Sequence, residues 1–368
     1  MPQTLNSENN EMVSLKEIVE AYSVEKISVS YDGEIEITDL KKELGTRGHV
    51  LVIRGDLAYA NRLNDKSLAN PKFWLYKNLV NSQRVQEQLR GHPEHKLFDG
   101  VGFSALEALG YHSRNIGRKA VVVMAREMLP PKDIFERYDI EIIHGDKPME
   151  KGYVEKQAEV ISQRNDLIPL HQALYGAQSL ASIGNRAINQ LEKLGLSLDA
   201  TLWCIASGSN LYGLGRKIKH RFPNTKTIVV EPERNRTIDS TINLSSPEQV
   251  RKFAKEKLRH YFPDDWDKKY SGVFPLHASS ASRYLLLLWA QTGDMGFDRV
   301  LGVATSSINR TQRAITSLNP HYDWTKSTAL TLAPAVNLAK QGKNVLVMAY
   351  GKNRETLYRD LQINGDNK

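Results

Sequence analysis

The chain has 368 residues, 40% of them hydrophobic and 25% charged. This is a globular composition, and it excludes a disordered or collagen-like chain. The length suits about two domains, each able to bury a core without staples. Fifty basic residues against 42 acidic ones leave a net charge of +8. The basic residues are interspersed with acids, and the densest run, 216–221, reads as the solvated face and end of one helix. The charge therefore carries no nucleic-acid footprint and is equally consistent with binding of small anions.

The longest apolar run, 284–290, falls far short of the roughly 20 residues a membrane span needs. The first twelve residues are polar, read as a frayed tail and carry no apolar signal core, so a cytoplasmic protein is expected. Cys204 is the only cysteine. It rules out an intramolecular disulfide and, with ten histidines showing no HExxH pairing, leaves no metal site expected.

In chain order, Ser14-Leu15-Lys16-Glu17 has the spacing of a capping box and predicts a helix start. Residues 49–54 form an apolar run of strand length. Asn70-Pro71 is a helix start, with Asn as cap and Pro at the first helical position, and the helix is expected to run to about 88. Ser104-Ala105-Leu106-Glu107 again has capping-box spacing, for a helix to about 115. Then come a strand at 120–124, a helix at 131–138, a strand at 140–143, and helices at 153–163 and 180–194. A strand at 200–206, a helix at 211–221 and a strand at 226–230 follow. The polar stretch 234–272 has no clear period and reads as a surface excursion or lid. A helix at 330–340 and a strand at 344–349 close the pattern. Short buried strands alternating with helices predict α/β architecture with a largely parallel sheet. Ligands in such sheets sit beyond the carboxyl ends of the strands.

The sharpest segment follows the 200–206 strand: Ala206-Ser207-Gly208-Ser209-Asn210. Small residues there let the backbone approach an anion, and the N–H groups and dipole of the following helix favour phosphate. The segment is neither a Walker A loop nor a GxGxxG turn. Cys204, inside a buried strand, reads as an inert core thiol.

This loop, with Val230-Glu231-Pro232 ending the next strand, resembles the phosphate-binding region of the pyridoxal-phosphate enzymes of the tryptophan synthase β-subunit and cysteine synthase superfamily, fold type II. Three further segments are similar to that family. Arg54-Gly55-Asp56-Leu57 leads to Lys66, which the resemblance makes the cofactor lysine; an irregular loop length keeps Lys72 and Lys77 as alternatives. Phe98-Asp99-Gly100-Val101-Gly102-Phe103-Ser104-Ala105 resembles the substrate loop. There Ser104 stands where the family places an asparagine on the cofactor, Gly100, Gly102 and Phe103 fall at the substrate carboxylate, and Asp99 is a candidate acid/base group or a turn former. Tyr350, with Gly351 as the alternative, takes the place of the residue that meets the pyridine nitrogen.

The resemblance implies two three-layer αβα domains with largely parallel sheets and pyridoxal 5'-phosphate in the cleft between them. It divides the chain into an N-terminal extension (1–47) packing on the large domain, a substrate-side domain (48–164) and a larger cofactor-phosphate domain (165–368). Ser207, Gly208, Ser209 and Asn210 would hold the phosphate. The implied activity is β-elimination or β-replacement on an amino acid such as serine, O-acetylserine, O-phosphoserine or cysteine, in a homodimer, by a specialised biosynthetic variant. A deaminase or desulfhydrase, or a non-catalytic cofactor-binding regulator, are the alternatives.

Overall fold

The structure, a computed structural model, describes residues 12–14, 33–126, 132–145, 156–157, 159–161, 163–205, 208–233, 238, 242–261, 273–275, 289–290 and 292–351. The strands are β1 (Met12–Ser14), β2 (Ile37–Asp39), β3 (Val50–Ile53), β4 (Lys96–Gly100), β5 (Ala120–Met124), β6 (Ile140–His144), β7 (Leu167–Pro169), β8 (Ala200–Cys204), β9 (Lys226–Pro232), β10 (Val273–Pro275), β11 (Arg299–Val303) and β12 (Val345–Met348). The helices are α1 (Lys41–Leu44), α2 (Leu57–Leu63), α3 (Pro71–Val80), α4 (Gln83–Gly91), α5 (Phe103–Asn115), α6 (Lys132–Tyr138), α7 (Gln172–Leu194), α8 (Arg216–Arg221), α9 (Pro247–Tyr261), α10 (Thr305–Leu318) and α11 (Lys326–Lys340).

Two sheets carry the fold. The larger has the order β11-β9-β8-β12-β3-β2, and the smaller β6-β5-β4-β7. Every pairing in them is parallel except that of the edge strand β2 with β3. Val50–Ile53 and Val345–Met348 are buried at every position, as strands covered on both faces must be. Alternate residues go to different cores. Leu51, Ile53, Leu346 and Met348 join one cluster, and Val50, Val52, Val345 and Val347 another. The larger sheet is thus the middle of three layers. In the smaller sheet Val122 and Met124 face the main core, while Val121 and Val123 face a separate small cluster.

The α/β alternation and the parallel sheets agree with the sequence reading, and several element bounds do not. The helix expected from 70 to 88 is two, because Asn81 ends α3 and the Ser82 side chain caps α4. α5 begins at Phe103 with Gly102 as its uncapped N-cap, so Ser104 lies inside the first turn and makes no capping box. α7 starts at Gln172, eight residues before the expected 180. The polar stretch 234–272 contains α9. Ser14 ends β1, which pairs antiparallel with β10; the helix expected after it lies outside the described residues. Among the described residues no helix is long and apolar enough to cross a membrane.

α3 is held by an aromatic cluster. Tyr59, Phe73, Tyr111 and His112 stack or meet edge to face at 5.2–6.3 Å. His112 Nε2 lies 2.7 Å from the Phe73 carbonyl and donates to it. Burial pushes this imidazole down to about 4. The native state therefore binds fewer protons than the unfolded chain between about pH 6.5 and pH 4, and stability is lost as pH falls through that window, by on the order of 3 kcal/mol. In His112→Gln the amide keeps a donor for the Phe73 carbonyl. The urea midpoint of this variant is expected to change less than that of the parent protein between pH 7 and pH 4.

Candidate active site

The carboxyl ends of β8, β12 and β3 lie side by side in the larger sheet, and those of β5, β4 and β7 in the smaller. The turn at Asn70 connects the two groups. Asn70 adopts an extended backbone, and its Oδ1 accepts from the Lys72 N–H at 2.8 Å, capping α3 with Pro71 at the first position. Its Nδ2 donates to the Ser104 carbonyl at 2.8 Å. Gly351, just past β12, has φ +107°, and a Cβ there would lie 3.2 Å from the Ala69 carbonyl oxygen and 3.5 Å from the Asn70 Cα. A side chain at this position would be strained and crowded, so glycine lets the strand exit close on the turn.

Lys72, in the first turn of α3, is part-buried with its amine end enclosed. Its Nζ donates to Gln172 Oε1 at 2.7 Å. Burial pushes the amine down to about 8, with the Asp99 charge partly offsetting it. Asp99 lies on β4 and is 3% exposed. Its Oδ2 accepts from the Tyr76 hydroxyl at 3.0 Å and the Gln172 backbone N–H at 3.2 Å, and its Oδ1 from the Gly100 N–H at 2.9 Å. Burial nevertheless pushes the carboxyl up to about 7, because desolvation outweighs the three donors and the Lys72 charge. The residue before Gln172, His171, sits in the left-handed region at φ 51° and starts α7. Such backbone costs on the order of 1–2 kcal/mol outside glycine, which marks a tightly determined turn.

On the other side lies the loop after β8. Gly208 has φ +70°. Ser209 is 1% exposed, and among the described residues the buried Asn210 Oδ1 has no hydrogen-bond partner. Residues 209–221 form one helical run with a π turn at Leu211–Gly215. π turns of this kind are frequent at functional sites. The run packs on the small-residue face of α7. A Cβ on Gly213 would lie 2.5 Å from the Ala177 carbonyl oxygen, and one on Gly176 would lie 2.6 Å from Ser209 Oγ and 3.1 Å from Leu75 Cδ1. Gly176 thus brings the loop against α3, one turn from Lys72. Gly176→Ala forces the Ser209 hydroxyl aside at an overpacking cost of about 1–3 kcal/mol. It is expected to weaken inorganic phosphate or cofactor binding at least tenfold in a calorimetric titration.

Between these groups, Tyr350 is 9% exposed and its buried hydroxyl lies against the Cys204 thiol. Its backbone N–H donates to Thr328 Oγ at 2.9 Å. Burial holds the phenol well above its ordinary range and pushes the neighbouring Cys204 thiol up to about 11, so Cys204 is not a nucleophile near neutral pH.

The structure brings together Asp99, Gly100, Gly102, Ser104 and the alternative lysine, Lys72. Lys66 opens a short 3-10 turn between the exposed residues Asp65 and Ser67, and its side chain lies outside the description. Lys77 is engaged elsewhere, with its ammonium 4.5 Å from the centre of the Trp74 ring. Ser207 lies outside the described residues. Gly102 is the N-cap of α5, and Phe103 and Ser104 lie in its first turn. The sequence reading missed Gln172 and Tyr76. Tyr76 carries a detectable signal, four residues after Lys72 on the same helix face; Gln172 has none, because only folding brings α7 to β4. His92, Glu94 and His95 also group, with ligand atoms within 4.8 Å of one another. They sit on a turn at the opposite end of β4, and His92 and Glu94 are more than half exposed. They form a solvated cluster outside this site.

No protein-family model and no curated protein sequence matches the chain. Solved structures do. A cysteine synthase (OASS) from Entamoeba histolytica superposes with a TM-score of 0.62 at 14% identity, over 98% of this chain and 92% of that one. A hydrogen sulfide-producing enzyme from Fusobacterium nucleatum gives 0.61 at 14% identity, over 88% and 97%. A pyridoxal 5'-phosphate-dependent aspartate racemase gives 0.56 at 16% identity, over 96% and 97%. The chain has the fold of the type II pyridoxal-phosphate enzymes. The racemase shows that this fold does not fix one reaction. Within the type II fold, the groups present suit the cofactor. Among the described residues there are an enclosed amine, a glycine-and-serine loop at a helix start whose buried amide oxygen is unpaired, and a buried phenol between them that meets only the Cys204 thiol.

Proposed function

We propose that the chain binds pyridoxal 5'-phosphate through Lys72 and acts on an amino acid by β-elimination or β-replacement, in the manner of cysteine synthase. The observation that supports this most directly is the enclosed Lys72 amine, pushed down to about 8, at a turn joining the carboxyl ends of both sheets. When bound, the cofactor supplies an aldehyde for the amine and a ring that delocalises the electron pair left on the α-carbon when its proton departs.

The chain's own residues do the rest. A lysine whose ordinary value is 10.5 is almost wholly charged at pH 7.5. One at about 8 has a large neutral fraction, free to bond a carbonyl carbon and to carry a proton afterwards. Gly208, Ser209 and Asn210 hold the phosphate at the start of the 209–221 run, with Ser207 completing the loop. The first turn of α5, at Gly102, Phe103 and Ser104, places backbone N–H groups where a substrate carboxylate would bind. Gly100 leaves room beside it. The Tyr350 hydroxyl would serve the pyridine nitrogen as a neutral partner, giving up its contact with the Cys204 thiol. Asp99, near 7, exchanges a proton with the β-leaving group or the entering nucleophile. A homodimer and a cytoplasmic setting belong to the same proposal; the expected boundaries 1–47, 48–164 and 165–368 do not follow the sheets, because β3 pairs in the larger sheet and β7 in the smaller.

Elimination alone is the second reading. The likeness to a hydrogen sulfide-producing enzyme supports it. The test is product analysis of the cofactor-loaded protein with serine, O-acetylserine, O-phosphoserine and cysteine, with and without sulfide. A new β-substituted amino acid establishes replacement. Pyruvate with ammonia establishes elimination. Racemised substrate with neither product overturns both.

A further inference from the structure

We propose that Gln172 is a positioning residue that holds the Lys72 amine apart from the Asp99 carboxylate and so keeps it a nucleophile. The proposal rests on the reading that Lys72 bonds the cofactor.

The geometry fixes which way the amide faces. Gln172 Nε2 donates to the Gly100 carbonyl at 2.7 Å, and Oε1 accepts from Lys72 Nζ at 2.7 Å. Reversing the amide would set N–H against an ammonium and oxygen against a carbonyl oxygen, so only one orientation satisfies both ends. The same residue's backbone N–H occupies Asp99 Oδ2. Tyr76 and the Gly100 N–H take the remaining places on that carboxylate. Lys72 and Asp99 are near enough for their charges to interact, yet among the described residues they form no ion pair. Gln172 stands between them, with its side chain on the amine and its backbone on the acid.

The choice of a neutral acceptor matters. An ammonium paired directly with a buried carboxylate stays charged, and its lone pair is tied up in the N–H bond. An amide oxygen binds the amine without adding a negative charge, so desolvation prevails and a free base is populated. The charged and titratable groups around this amine are Asp99 on β4 and Tyr76 on α3, which acts through Asp99. His171, buried at the start of α7, precedes Gln172. Asp99 is the one whose charge acts on Lys72.

The test is competitive acetylation of the full-length, cofactor-free protein with acetic anhydride across pH 6–11, reading Lys72 by peptide mass spectrometry. The parent protein is expected to show a midpoint near 8. Gln172→Glu keeps the shape and adds a charge; its midpoint is expected to rise by at least about 1.5 units, which lowers the free-base fraction at neutral pH about 30-fold. Gln172→Leu is expected to raise it as well, by letting the amine reach Asp99. Adding Asp99→Asn to Gln172→Leu should bring the midpoint back to that of the parent or lower. A Gln172→Glu midpoint equal to that of the parent protein overturns the proposal. So does a Gln172→Leu rise that survives removal of the Asp99 charge. The rate of pyridoxal phosphate capture by the same proteins separates the two ideas. If the midpoint moves and capture does not, Lys72 is not the cofactor lysine, although Gln172 still controls its amine.

Discussion

In Lys72→Ala, the near-visible absorption that develops when the protein is mixed with pyridoxal phosphate is expected to be absent, and borohydride should fix no cofactor to the chain. Lys66→Ala should keep both signals. Activity in Lys72→Ala should fall by at least about 1,000-fold, because one side chain supplies both the covalent anchor and a proton carrier. The two lysines differ in position. Lys66 lies in a 3-10 turn between exposed neighbours. Lys72 starts a helix whose cap, Asn70, is tied to the Ser104 carbonyl and packed against Gly351. A band retained in Lys72→Ala and lost in Lys66→Ala would return the role to the loop lysine. A pH effect on stability accompanies the assignment. The folded Lys72, near 8, binds fewer protons than the unfolded lysine between pH 8 and 10.5, so this group adds stability as pH rises through that window. Lys72→Ala should flatten that part of the curve.

The choice between these lysines shows how far the residues alone lead. The buried strands 50–53, 120–124 and 345–348 are legible, because runs of Val, Leu, Ile and Met at strand length have few other destinations. The turn at 208–210, from a buried strand into a helical run, is legible because small residues at such a place have a local physical meaning. β4 is not, because Lys96-Leu97-Phe98-Asp99-Gly100 carries two charges and a glycine in five residues. Its strand character comes from pairing with β5 and β7. Asp99 could be taken for a turn former for the same reason. Sequence distance places Lys66 nearer to the Arg54-Gly55-Asp56-Leu57 strand exit, while α2, at 57–63, uses up that intervening length as helix, and the turn that meets both sheets falls at Asn70. The Gln172 contact joins residues 100 positions apart, and no local pattern encodes it.

Asp99→Asn tests the second half of the site. Its carboxyl is held near 7 by burial, against an ordinary value of 3.8, which is where a group that gives and takes a proton at neutral pH works best. The substitution is expected to lower turnover by about 100-fold to 10,000-fold while leaving cofactor absorption in place, since the 208–210 loop is untouched and loss of the Asp99 charge only favours the free base of Lys72. The limb of the pH–rate profile near 7 should disappear with it. The effect on stability runs the other way. A carboxyl raised from 3.8 to about 7 is a favoured proton site in the folded state, and its contribution is full below pH 4 and lost as pH rises to 7, on the order of 4 kcal/mol. Above pH 7 the parent protein keeps a buried carboxylate beside three donors that do not fully compensate its desolvation. Asparagine removes that charge but leaves one backbone N–H without an acceptor, a cost of about 1–3 kcal/mol. At pH 8 the variant is therefore expected to unfold at a urea concentration no lower than the parent protein, and at pH 4 at a lower one. An Asp99→Asn enzyme that retains both full turnover and the limb near 7 would reduce Asp99 to the anchor of the Gln172 and Gly100 N–H groups. The proton would then have to come from the substrate or from Lys72 itself.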